Sequence, residues 1–212
     1  MARKQFGKPF AKIFAAIVLL IVTVVGLGYG SLLRGMDQAA EAYNQGDREA
    51  ALASYQNIEQ RLRSTGALLL IPAKDRRNLM LNEARLLYSL GRYDDAQERL
   101  DREAEITGST ADDGRFLLVK GEIAFRKAMK NYRESTKKDT RLLEEALHAA
   151  EDTLRDSLRL NPNDWDAKYN FEYINHIRNL MNQDQQGKIK ILMENVRVEE
   201  TRPAELPADL TP

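Results

Sequence analysis

The chain has 212 residues, 32 basic and 32 acidic side chains, and no cysteine, which excludes a disulfide framework, a thiolate metal site and a thiol nucleophile. The zero net charge averages two unlike parts. Residues 1–34 hold Arg3, Lys4, Lys8, Lys12 and Arg34 and no acid, leaving 27 of the 32 bases against all 32 acids; this mildly acidic remainder argues against a nucleic-acid binder, whose phosphate contacts need a basic face.

In chain order, the first element is an uncharged run, Ile13 to Leu33, bounded by Lys12 and Arg34. Its 21 residues make ~30 Å of helix, the hydrocarbon thickness of a bilayer. The basic stretch 1–12 marks a cytoplasmic tail, and acids begin only after Arg34. The expectation is a single-pass bacterial inner-membrane protein, spanning at 13–33, with its body in the periplasm. A cleaved signal peptide is the alternative. Its apolar region would run ~7–15 residues to a small-x-small site, whereas Gly28-Tyr29-Gly30 places a bulky residue at the centre. An uncleaved anchor is the better reading. Gly26 and Gly30 form a GxxxG pair that lets two helix backbones approach closely, or that merely loosens the membrane-exit end.

From Met36 onward almost every segment reads as helix. Proline is missing between Pro9 and Pro72 and between Pro72 and Pro162, and Ala, Leu, Glu, Arg and Gln dominate. Breaks fall at 44–47, 64–66, 89–91, 107–109 and 161–164. Two of them repeat each other: AAEAYNQGDREAALASY (39–55) aligns with ARLLYSLGRYDDAQERL (84–100). Ala39 matches Ala84, Tyr43 matches Tyr88, Gly46 matches Gly91, Ala51 matches Ala96 and Tyr55 falls opposite Leu100. The logic is a helical hairpin, with Gly closing the first helix and small Ala residues letting the two helices pack.

These residues resemble the tetratricopeptide repeat, whose pattern has small residues at fixed helix positions, a large apolar one after them and Pro near the end. Ala39, Gly46, Ala51 and Tyr55 match in the first unit, and Ala84, Gly91, Ala96 and Leu100 in the second. A third, more degenerate unit begins at Gly121, and its second helix carries Ala150, Leu154, Ser157 and Pro162 in register. DWDAKYNFEYINHIRNLM then caps the stack. About 11 extra residues lie near Ser64–Asn78, and NYRESTKKDTR (131–141) reads as an insertion splitting the third unit. The residues read as an all-α protein with one transmembrane helix. Pro203, Pro207 and Pro212 among acids and small residues mark a largely disordered tail at 188–212. The resemblance implies that the body over 36–187 is an irregular tetratricopeptide-like helical-hairpin solenoid. It also implies a concave groove lined by the first helix of each hairpin. The groove candidates are Arg85, Tyr88, Arg115, Glu122, Phe125, Arg126, Tyr173 and His176, a mixed aromatic and charged face suited to a partner protein's extended segment or loop.

Enzyme signatures are missing: the chain has no phosphate-binding glycine loop, GxSxG elbow or HExxH. No residue reads as catalytic, and no cofactor or metal is expected. The histidines are His148 and His176. Glu145 and His148 make one ExxH, the spacing by which di-iron bundles present two ligands, but the second copy and further glutamates those proteins need are lacking. A solvated helix face is the better reading, with a metal-binding bundle kept as the minor alternative. NPNDWD reads as a turn plus helix N-cap. Leu68-Leu69-Leu70-Ile71-Pro72 reads as core closing an extra helix, ahead of a docking or membrane-touching patch. Trp165, Tyr169 and Tyr173, four residues apart, read as core of the capping helix.

The layout, and SLRLNPNDWDAKYNFEYINHIR in particular, is similar to the anchored repeat proteins that accompany MoxR-type ATPases and von Willebrand factor A proteins, including the MxaK-type factor of methanol-oxidation clusters. That resemblance implies a role in maturing a periplasmic methanol dehydrogenase. The other expectation is a general envelope-biogenesis or secretion adaptor. In both, the partners are membrane-bound or membrane-proximal proteins, together with the lipid bilayer.

Overall fold

The computed structural model describes residues 7–107 and 112–182; the tail expected at 188–212 lies outside these, as do residues 1–6. Among the described residues there are seven α-helices and no strand. They fall into two compact units, divided after Pro72.

In the first unit, α1 (Gly7–Asn44) is one continuous helix of 38 residues, ~57 Å long. It starts within the stretch read as a basic tail, with Pro9 tolerated in its first turn, where its missing N–H has no partner to lose. It includes a window apolar enough to cross a membrane, none of which is buried inside the protein. The helix then runs unbroken past Arg34 into the first hairpin. It ends at Gly46, whose φ of 86° is the left-handed value glycine adopts without a Cβ penalty. Gly46 N–H bonds the Tyr43 carbonyl at 2.9 Å, and Asp47 N–H bonds the Ala42 carbonyl at 3.0 Å. This paired closure satisfies carbonyls that the last turn would leave orphaned.

Asp47 then caps α2 (Arg48–Ser64), its Oδ1 accepting from Ala50 N–H at 2.9 Å. The two helices bury Leu32, Met36 and Ala39 against Ala51, Leu52 and Tyr55. Gly35 makes room for Ile58, which lies 3.1 Å from where a Cβ would stand. After α2, residues Ala67–Leu69 form a single 3-10 turn, where an extra helix was expected. Leu68 is buried there, but Leu70 is 83% exposed, so the run is only partly core.

The second unit holds α3 (Ala73–Ser89), α4 (Tyr93–Thr107), α5 (Gly114–Glu134), α6 (Thr140–Leu160) and α7 (Trp165–Asn182). The α3–α4 turn repeats the first closure bond for bond: Gly91 N–H to Tyr88 carbonyl and Arg92 N–H to Leu87 carbonyl, each 2.9 Å. Ala84, Ala96 and Leu100 are buried, as their aligned counterparts are in the first unit. The aligned segments fold alike because the same glycine ends the same helix.

The stretch 131–141 is not an inserted loop. Its first four residues continue α5 and its last two begin α6, which leaves a connection of five residues, 135–139. Asp139 caps α6 by accepting from Arg141 and Leu142 N–H at 3.0 and 3.2 Å. The result is one long α5–α6 hairpin. Gly121 sits where it packs closest: a Cβ there would stand 2.7 Å from Leu154 Cγ. Asp164 caps α7, accepting from Ala167 N–H at 3.0 Å, as the NPNDWD reading anticipates. Leu118, Phe125, Met129, Leu143, Leu147, Leu154, Ile174 and Ile177 make the shared core of these three helices.

The face expected of the aromatic stripe is different. Trp165 is 78% exposed and Tyr169 54% exposed, while only Tyr173 is drawn inward. Steps of four residues drift by ~40° around a helix each time. The buried line of α7 is instead Ala167, Asn170, Ile174 and Ile177, whose alternating three- and four-residue steps hold one direction.

Candidate functional site on the α3, α5 and α7 face

Helix α5 touches both α3 and α7, and a seam of polar and aromatic side chains runs across the three. Arg126 Nε donates to the Tyr88 hydroxyl at 3.3 Å, joining α5 to α3. Asn170 Nδ2 donates to Glu122 Oε1 at 2.7 Å, joining α7 to α5. The Tyr173 ring meets Phe125 edge-on at 5.8 Å, and Tyr169 stacks on Tyr173 at 6.2 Å. The Arg126 guanidinium lies 5.8 Å from the Phe125 ring centre. An aromatic ladder thus leads from exposed Tyr169 inward to the buried arginine.

At the start of α5, Asp113 caps the helix and grips Arg115: Arg115 N–H and Nε reach Oδ1 at 3.1 Å, and Nη2 reaches Oδ2 at 2.9 Å. Arg115 Nη1 also donates to Asn78 Oδ1 at 3.0 Å, tying α5 back to α3. Burial pushes the Glu122 carboxyl up to about 7. The nearby Arg85 charge pulls it back down, Asp166 pushes it further up, and Asn170 and Arg126 favour the ionised form. Burial likewise lowers Arg85, with Glu122 opposing it. Arg85 Nε and Nη1 are shut off from solvent, with no hydrogen-bond partner among the described residues.

Of the sequence-predicted groove residues, seven come together along this seam: Arg85, Tyr88, Arg115, Glu122, Phe125, Arg126 and Tyr173. Tyr88, Glu122, Phe125 and Arg126 are buried, so they set its shape and charge; Arg85, Arg115 and Tyr173 are only partly covered, and His176 is exposed. An added Cβ at Gly26 or Gly30 meets nothing within 4 Å among the described residues.

Asn170 escaped the sequence reading. Its signal is an amide standing in the apolar line Ala167, Asn170, Ile174, Ile177. Glu83, paired with Arg99 at 2.5 Å between α3 and α4, and Glu151, which binds Arg155 and Arg178, carry the same signal. Glu145 pairs with Arg141 at 3.3 Å, and His148 Nδ1 lies 3.1 Å from Asp152. Each half of the ExxH therefore has its own partner, and among the described residues no group of three or more potential ligands converges. An open depression of about 370 Å³ on α4, lined by Asp94, Gln97, Glu98, Asp101 and Arg102, is formed by one helix's own side chains.

Comparison with protein-family models, with curated proteins and with solved structures finds no match to this chain.

Proposed function

We propose that this protein is a membrane-tethered scaffold that holds an extended segment of a partner protein along the α3, α5 and α7 face. The observation that carries the reading is the aromatic ladder that descends from exposed Tyr169 through Tyr173 to Phe125, on a seam that also holds the half-covered Arg85. Arg85 is well shaped to grip a carboxylate or backbone carbonyl of a bound segment. The aromatic ladder from Tyr169 to Phe125 offers the same segment rigid apolar contact. The work is binding, without catalysis.

In this reading α1 is the anchor, with the basic N-terminus cytoplasmic and both units periplasmic in a bacterial inner membrane. The continuity of α1 supports a first unit held close to the bilayer. Alkaline phosphatase fused after Pro212 should then be active. The narrower version, from the resemblance to MoxR-associated factors, is maturation of a periplasmic methanol dehydrogenase alongside a MoxR-type ATPase and a von Willebrand factor A protein.

Affinity capture of the full chain from native membranes tests both levels. The scaffold reading expects a defined protein set, recovered about tenfold less with Arg85→Leu, which removes a contact of the strong, charge-assisted kind. Recovery unchanged by Arg85→Leu would overturn it. A set containing no MoxR-type ATPase, von Willebrand factor A protein or dehydrogenase would overturn the narrower version alone.

A further inference from the structure

The C-terminal end of α2 reaches back down the anchor helix. α1 and α2 run antiparallel, and Ile58 packs on Gly35. Both rise ~1.5 Å per residue, so Ser64, six residues beyond Ile58, stands level with Tyr29, six residues before Gly35. The exposures agree: Leu27 is 71% exposed, Tyr29 only partly so, and Leu32 6%. Tyr29 lies inside the apolar run Ile13–Leu33. The loop that leaves α2 therefore starts at the depth of the apolar run.

That loop, 65–72, has an apolar tip. Leu68 folds inward at 6% exposure and fixes the 3-10 turn, which projects Leu70 at 83% exposure, with Ile71 half-covered behind it. The two helices that flank it, α1 and α2, carry exposed basic side chains. Arg61 and Arg34 are exposed, and the Arg63 side chain is 41% exposed while paired to Glu59 at 2.6 Å. An apolar tip beside helices that carry exposed arginines, level with the end of a spanning helix, has the chemistry of the membrane interface. There apolar side chains enter the acyl region and arginines meet lipid phosphates.

We infer that loop 65–72 docks on the bilayer, with Leu70 among the acyl chains of the leaflet from which α1 emerges and Arg34, Arg61 and Arg63 on the lipid phosphates. The inference rests on the reading that α1 crosses a membrane. It leaves Ile13–Gly28 to span the hydrocarbon, ~24 Å of helix, with Lys12 snorkelling at the far end. The first unit is then held at two points, which removes the freedom of a body tethered by one helix.

The test uses the full chain in vesicles of mixed phosphatidylcholine and phosphatidylglycerol. Trp165 is the only tryptophan, so Leu70→Trp in a Trp165→Phe background gives a single reporter, and Leu19→Trp in the same background reports on α1. The expected result is a blue-shifted position-70 emission, quenched about twofold by lipids brominated near the headgroup end of the acyl chain. Water-like emission at position 70 with lipid quenching at position 19 would overturn loop docking and leave the anchor standing. Shielding of position 70 from iodide without lipid quenching would mean a protein surface covers Leu70, which also overturns it. Loss of lipid quenching at both positions would overturn the membrane-spanning reading itself.

Discussion

Asn170 on α7 donates a 2.7 Å hydrogen bond to Glu122 on α5, and both side chains are more than nine-tenths buried. The bond fixes the seating of α7 and holds a carboxyl that burial has raised to about 7. Arg85 stands close enough to Glu122 to act on its titration. Seam geometry and seam charge are thus set by the same side chains.

The raised carboxyl makes stability depend on pH. A folded-state value of about 7 against an ordinary 4.5 means the folded chain keeps a proton that the unfolded chain has released. The stabilisation is full below pH 4.5 and is lost as pH rises through 7. From the size of that shift the loss is about 3 kcal/mol, and the fully buried position calls for no solvent discount. Glu122→Gln, which cannot ionise, should abolish this part of the pH dependence. Denaturant melts of the detergent-solubilised chain at pH 5 and pH 8 check this; equal slopes in the two proteins would show that Glu122 does not carry it.

The contact between Gly121 and Leu154 gives a second prediction. With Leu154 Cγ 2.7 Å from the added Cβ, Gly121→Ala should destabilise the chain by about 1–3 kcal/mol through overpacking. Leu154→Ala alone should cost about 2–5 kcal/mol. The double variant should cost less than the sum, because the cavity accepts the new methyl. Strict additivity in unfolding titrations would contradict this packing.

Glu83 and Arg99 form a buried ion pair between α3 and α4, with side chains 2% and 5% exposed. Removing one partner strands the other, so Glu83→Ala should cost about 3–5 kcal/mol. Replacing both together, Glu83→Gln with Arg99→Met, should recover most of that loss. Equal instability of the single and double variants would show that something other than charge pairing decides the site.

The hairpins were legible because their determinants are local. Gly46 and Gly91 end their helices with the same pair of backbone bonds, and Asp164 caps α7 where NPNDWD placed it. Continuity was harder to read: 131–134 extend α5 although 131–141 reads as an insertion that splits the third unit. Position on the chain also identified Arg85, Glu122 and Arg126, since all three sit on first helices of hairpins. Their burial was not readable, because it depends on how closely α5 approaches α3 and α7. Trp165 and Tyr169 show the same limit: an aromatic repeat every four residues drifts off the buried face and ends in solvent.

The most direct test of the scaffold reading places a photo-crosslinker on the seam. Tyr173 is half-covered and packed against Phe125, so p-benzoylphenylalanine at this position keeps an aromatic ring there and samples whatever binds. Irradiation of native membranes should give a discrete adduct between the full chain and one partner protein, and Arg85→Leu should abolish it while leaving the helical circular dichroism unchanged. No adduct, or an adduct of equal yield with Arg85→Leu, would contradict the account.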